Sequence, residues 1–346
     1  AYEISLGLVG SEMCIRDKAE LTKIVAQYKA VMAQSEEKQD ANYGTLYQPI
    51  DDILNFMISV LTPDEGYDET VLDSVTEDSV QVFYTWYQKN MKWMADQYGK
   101  TPEQKDYLEK KYSEIILPLQ YESYGAWDTM IMYAETYSIV LAILVGFICA
   151  GIFADDFQTK ADAVFFASKY GRSKAIKNKI LAGVVATTMI YWTGIVLLSA
   201  ISFGIMGTSG MHTPYQMSEA YSIYIMTYGQ YYALTVACGY IASLLAASLA
   251  MLVAAKMHTI SVAVCIPFFL YCLLPFIGRV LSSYTKVFNL IPTILTNVEA
   301  SVRVPLLYQI GTHVIRQVPL VMVMYTVLSI VLLPLIYRSF RRYGRA

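Results

Sequence analysis

Side chains that could do chemistry gather in one short stretch, Ala154 to Lys179, between two long apolar runs. Asp155 and Asp156 open it, Phe157, Val164, Phe165 and Phe166 form its apolar part, and Lys160, Lys169, Arg172, Lys174, Lys177 and Lys179 supply six positive charges. Positive charge of that density beside a membrane span marks the cytoplasmic side. The chemistry on offer is contact and charge: an apolar patch between charged ends is a grip for another protein.

The rest of the chain lacks the sets that catalysis needs. His212, His258 and His313 are far apart and share no metal-ligand spacing, and Cys149, Cys238, Cys265 and Cys272 fall inside apolar runs, where they read as small hydrophobes. No GxxxxGK[ST] run is present, so the chain carries no phosphate-cradling ATPase loop of its own. Transport uphill would need energy from a second polypeptide. Nothing resembles a nucleic-acid surface, because basic residues sit in short loops at the ends of apolar runs.

Such a loop must be held by membrane helices. The chain is 55% hydrophobic and only 16% charged, where a soluble domain carries charge nearer a quarter of its residues. The apolar surplus falls in five blocks, residues 136–154, 180–207, 222–255, 259–278 and 318–337, each near or above the roughly 20 residues that cross a bilayer. As drawn, none contains Asp, Glu, His, Lys or Arg, which counts against a proton- or ion-coupled transporter and against an intramembrane enzyme. Pro267 and Pro275 are expected to kink the fourth block. Ala242, Ala246, Ala247 and Ala250 give the third a small-residue face for close packing. The fold class is therefore all-α, a polytopic helical membrane protein.

Residues 18–133 read as a water-soluble, mainly helical domain. Leu21, Ile24, Val25, Tyr28, Val31 and Met32 recur at helical spacing, as do Val80, Phe83, Tyr84, Tyr87, Met91 and Met94, and more briefly Ile50, Ile53, Leu54 and Met57. Residues 62–66 and 98–102 punctuate these windows. The segment has no cysteine, so no disulfide framework is expected. Its tyrosines and tryptophans could line a ligand surface, although packing is the commoner use.

Charge orients the whole. Residues 18–128 hold twenty acidic and ten basic side chains, whereas residues 135–346 hold six and fifteen. Placing residues 155–179 inside also places Lys256, Arg338, Arg341, Arg342 and Arg345 inside. Arg279, Lys286, Arg303 and Arg316 are left outside with the acidic domain. A large outer domain followed by five spans is most simply completed by one earlier span, six in all with both termini cytoplasmic.

Ala1 to Asp17 is expected to be non-native. Leu8-Val9-Gly10-Ser11-Glu12-Met13-Cys14-Ile15-Arg16-Asp17 resembles the in-frame translation of a transposase-type sequencing adapter, and Ala1-Tyr2-Glu3-Ile4 its outer end.

Residues 133–346 resemble the ABC type-2 exporter permeases. The resemblance rests on Phe153-Ala154-Asp155-Asp156 closing a helix, on Ala163-Val164-Phe165-Phe166, on Ser168-Lys169-Tyr170-Gly171-Arg172, and on Lys179-Ile180-Leu181 opening the next helix. Asn289-Leu290-Ile291-Pro292 and the tail Tyr337-Arg338-Ser339-Phe340-Arg341-Arg342 fit the same order. Asp156 stands where Glu is common and Lys160 where Gly is frequent. The resemblance implies two permease subunits paired in a bacterial plasma membrane, with ATP-binding subunits docked beneath and ATP and Mg bound there rather than on this chain. Asp155, Asp156, Phe157, Val164, Phe165, Phe166, Lys169, Gly171, Arg172 and Lys174 would form the coupling segment against them. By the same resemblance residues 287–317 would form short re-entrant or interfacial helices, while the sequence alone fits an ordinary interfacial loop equally well. The competing expectation is a membrane-anchored receptor or assembly scaffold that works through its extracellular domain.

Overall fold

The computed structural model describes residues 13–14, 18–34, 50–62, 68–280 and 289–342. Most of residues 1–17, the punctuation at 63–66, Lys286 and Arg345 lie outside these. The described chain is all-α apart from two two-stranded ribbons, and it divides into two compact units.

The first unit takes residues 1–128, 208–231 and 302–315. Its helices are α1 (Lys18–Met32), α2 (Asp51–Leu61), α3 (Glu77–Tyr98) and α4 (Pro102–Ser113). The helical spacing read from the sequence becomes the core: Leu21, Ile24, Val25, Tyr28 and Val31 of α1, Ile53, Leu54 and Met57 of α2, and Phe83, Tyr87 and Met91 of α3 are all buried. Thr101 caps α4, its hydroxyl accepting from the Gln104 N–H at 3.3 Å, with Pro102 in the first turn where a missing N–H costs nothing. Strand β1 (Met13–Cys14) pairs antiparallel with β2 (Gln120–Tyr121).

Tyrosines tie the second segment of this unit to its helices. The Tyr87 hydroxyl donates to the Ala220 carbonyl at 2.5 Å, Tyr112 to the Tyr221 carbonyl at 3.0 Å, and Tyr221 to the Val60 carbonyl at 3.1 Å. Tyr124 stacks on Tyr228 with centroids 4.5 Å apart. A buried loop carbonyl left without a donor is costly, and the tyrosines meet that need while filling the core with their rings. These aromatic residues are packing.

The remaining segment carries a hairpin of β3 (Leu307–Ile310) and β4 (His313–Arg316), turned at Gly311 and Thr312. Gly311 sits at φ 62°, the left-handed conformation that a two-residue hairpin turn requires.

The second unit takes residues 129–207, 232–301 and 316–346. Five helical stretches are long and apolar enough to cross a membrane: Gly125–Gln158, Gly171–Met206, Tyr228–Met257, Ile260–Ile277 and Gln317–Arg342. The helices of this part of the chain are α5 (Gly125–Gln158), the short α6 (Asp162–Ala167), α7 (Ile176–Met206), α8 (Tyr228–Met257), α9 (Ile260–Phe268), α10 (Leu274–Val280), the short α11 (Glu299–Arg303) and α12 (Gln317–Arg342), of which α6 and α11 lie outside the five stretches. Between α9 and α10 the chain makes a π turn, Phe269–Leu273, flanked by Pro267 and Pro275. Each proline lacks the N–H that an α-helix needs, and the widened turn absorbs the misfit. Ala242, Ala246, Ala247 and Ala250 on α8 are all buried. Leu181, Met189, Ile201 and Ile205 on α7 stay exposed, as expected of a surface that lipid covers.

Two expectations change. The third span begins at Tyr228, not at residue 222: Ser222 to Thr227 belong to the first unit, where the Ser222 hydroxyl donates to the Val302 carbonyl at 2.7 Å. Ser222, Ile223 and Tyr224 are buried there, and hydropathy alone does not separate a core from a bilayer. Residues 292–303 form short helical pieces, a 3-10 turn and the five-residue α11, but residues 307–316 form the hairpin where further helix was expected.

Candidate functional site

The charged segment emerges from α5 and returns into α7 as a compact platform. Helix α5 runs on to Gln158. Lys160 then adopts φ 55°, reversing the chain so that α6 can start at Asp162. After α6 a turn leads to Gly171, and a π-helical turn over Gly171–Ala175 feeds α7. A Cβ on Gly171 would collide with the Phe165 carbonyl oxygen and lie 2.7 Å from the Ser168 hydroxyl, so the return path needs glycine here.

Phe340, fully buried near the end of α12, is the centre of an aromatic knot. Phe153, Phe157, Phe165 and Phe166 surround it with centroids at 5.0, 5.7, 5.8 and 5.2 Å. The His258 ring lies 4.0 Å from Phe157, joining the turn after α8 to the same cluster. Two cations lock the edges. Lys179 Nζ donates to the Ile152 carbonyl at 2.6 Å, pairs with Asp156 at 2.7 Å and stands over the Phe165 ring. The Arg172 guanidinium lies 4.7 Å from the Phe166 centroid and donates to the Arg341 carbonyl at 3.2 Å. Such cation–ring contacts contribute about 0.5–2 kcal/mol each, more when shielded from water.

The ten residues expected to grip a partner thus separate into two groups. Asp156, Phe157, Phe165, Phe166, Gly171 and Arg172 turn inward or brace the segment. Asp155, Val164, Lys169 and Lys174 face outward, with Tyr170 lying between the two lysines at 5.5 and 4.9 Å. Val164 is 76% exposed and is the apolar residue that the platform offers. The sequence pattern marks the segment only by its charge and its phenylalanines. It did not separate phenylalanines that anchor from those that could meet a partner, because α6 is too short for periodicity to mark a buried face.

Deeper in this unit, hydroxyls join α5, α7 and α8. Tyr191 donates to the Val236 carbonyl at 2.7 Å and contacts the Ser138 hydroxyl at 3.2 Å, while Thr188 meets Tyr240 and Ser199 meets Tyr232. Gly239 allows this approach, since a Cβ there would strike both Ser138 and Tyr191. Glu135, just before the first span as read from the sequence, lies within α5. Its carboxylate accepts from the Val298 and Glu299 N–H groups at 2.7 and 3.0 Å. The apolar-run boundary concealed this residue, and no local signal marks its distant partners. Cys149 and Cys238 are buried, Cys265 is exposed and Cys272 intermediate. Among the described residues, no group of three or more His, Cys, Asp or Glu side chains could hold a metal ion.

No protein-family model, curated protein or solved structure matches this chain.

Proposed function

We propose that this membrane protein is the permease subunit of an ATP-driven exporter of the ABC type-2 kind. A separate ATP-binding subunit docks on residues 155–179, and a second permease subunit completes the path. In this reading residues 18–133 are extracellular, and the platform and C-terminus face the cytoplasm of a bacterium. ATP and Mg belong to the partner.

The observation that carries the reading is the bracing of the platform. A loop that only set topology would need its positive charges and nothing more. Here a short helix is fixed by one aromatic knot and two cations to the ends of α5, α7 and α12. Force applied to Val164 or Lys169 would reach those three helices together instead of being lost in loop motion.

The test begins at the gene. An adjacent gene encoding a protein with a phosphate-cradling Walker A loop should be present. Its product, co-expressed with the full chain, should form a complex that hydrolyses ATP in nanodiscs. Val164→Asp with Lys169→Glu should cut complex formation or hydrolysis about tenfold, the usual scale for an interface anchor and its rim charge. A locus with no such gene, or a complex indifferent to both substitutions, would favour the receptor or scaffold reading.

A further inference from the structure

An open groove of about 940 Å³ runs between α3 and α4, within the range of ligand sites. Its floor is apolar and built before any ligand arrives: Met91 and Tyr112 are each 4% exposed, Ile115 is 9% exposed, and the Tyr112 hydroxyl is spent on the Tyr221 carbonyl. Its walls are charged. Lys89 and Lys92 line it from α3, and Asp106, Glu109 and Lys110 from α4.

The two helices form an antiparallel hairpin, and an ion pair fixes their register near the turn, Asp96 to Lys105 at 2.8 Å. One helical turn further along, the same register sets Lys92 opposite Glu109. That pair does not close. Among the described residues, none of these five groove-lining charges has an ion-pair partner, although the neighbouring Lys111 pairs with Glu114 at 2.6 Å. Both signs therefore stand unpaired along the groove, above an apolar floor. A solvated helix face explains the charges, but not an open groove between them floored by Met91, Tyr112 and Ile115.

We infer that this groove binds a short peptide of mixed charge, its acidic group toward Lys92 and Lys89, its basic group toward Glu109 and Asp106, and its apolar side chains on the floor. A ligand of one sign would leave one wall unpaired, and a wholly apolar one would leave both. The inference does not rest on the exporter reading, since the groove lies in the first unit and its test reads binding without ATP.

The probe is the end-blocked pentapeptide Lys-Leu-Phe-Leu-Glu, titrated calorimetrically into the full chain in nanodiscs. Glu-Leu-Phe-Leu-Glu and Lys-Leu-Phe-Leu-Lys serve as single-sign controls. Saturable binding of the mixed peptide is expected, about tenfold tighter than either control, since discrimination comes from charges left unpaired. Lys92→Ala and Glu109→Ala should each weaken it about fivefold, a surface charge–charge contribution. Both side chains are exposed and unpaired, so the fold should survive, which an unchanged melting temperature verifies. Equal binding of the cationic control would reduce the site to general attraction by the acidic unit and overturn the inference. So would indifference to both substitutions, no saturation by about 1 mM, the weak limit for a specific small site, or displacement by dodecylphosphocholine, which would assign the groove to lipid.

Discussion

Asp52 begins α2 beside Asp51, where the positive end of the helix favours a carboxylate. Its environment works the other way. Burial raises its pKa above the ordinary 3.8, the nearby Asp51 charge adds to this, and the hydrogen bond from the Tyr121 hydroxyl at 2.8 Å only partly offsets it. A carboxyl raised in the folded chain binds its proton more readily folded than unfolded. Acidification from neutrality through the raised pKa toward 3.8 therefore adds stability at this site, and nothing further is gained below 3.8. Asp52→Asn keeps an acceptor for Tyr121 and removes the buried charge. Amide hydrogen exchange across residues 51–61 should be slower in this variant at pH 7, and the difference should shrink as pH falls toward 4. A difference independent of pH would show that the charge is not what burial opposes. The sequence announces Asp52 only as a residue in a first helical turn. Its hydrogen-bond donor is Tyr121, sixty-nine positions away, and no local pattern encodes that distance.

Elements differ in how legibly they are written. Helices α1 to α3 show their buried faces because each is long enough for the 3.6-residue period to repeat. Membrane helices show themselves by length and apolarity, but their ends do not: Ser222, Ile223 and Tyr224 are buried in the first unit outside the third span, and α7 reaches back through Lys177 and Lys179 to Ile176. The hairpin was readable. Gly311-Thr312 lies between two short runs rich in Leu, Ile, Val and Tyr, the pattern of a two-residue turn. For α6, six residues long, tertiary contact decides everything, and Phe340 is the test of that. Phe340→Ala should cost about 3–5 kcal/mol, as expected for deleting a fully buried ring. The loss should be local: faster amide exchange over residues 155–175 with little change in α1 to α4. Phe340→Leu, which refills most of the space, should restore slow exchange. If Phe340→Ala left residues 155–175 as protected as before, the knot would not be what holds the platform, and coupling through it would lose its physical basis.

At the scale of the whole molecule, the order of the chain constrains the sides of the membrane. The first unit collects residues 1–128, 208–231 and 302–315, which fall before or at the start of α5, between α7 and α8, and in the later part of the connection from α10 to α12. These are every second connection, as a chain crossing back and forth demands if that unit is to lie in water on one side. The alternate connections are the platform between α5 and α7 and the turn after Met257, and the tail follows α12. Lys160, Lys169, Lys174, Lys177, Lys256 and Arg338 lie in or beside these, whereas Arg279, Arg303 and Arg316 flank the opposite ends of the helices. In the proposed orientation the side richer in basic residues is the cytoplasmic one. In a cysteine-free background, Lys100→Cys, Met211→Cys and His313→Cys, one in each segment of the first unit, should react with a membrane-impermeant maleimide added to intact cells. Lys169→Cys and Met257→Cys should react only after the membrane is opened. The inverse pattern would keep the alternation and reverse the orientation, placing the platform where no cytoplasmic ATP-binding subunit could reach it. A split among the first three positions would break the alternation itself, because one continuous aqueous unit cannot have its segments on both sides of a bilayer.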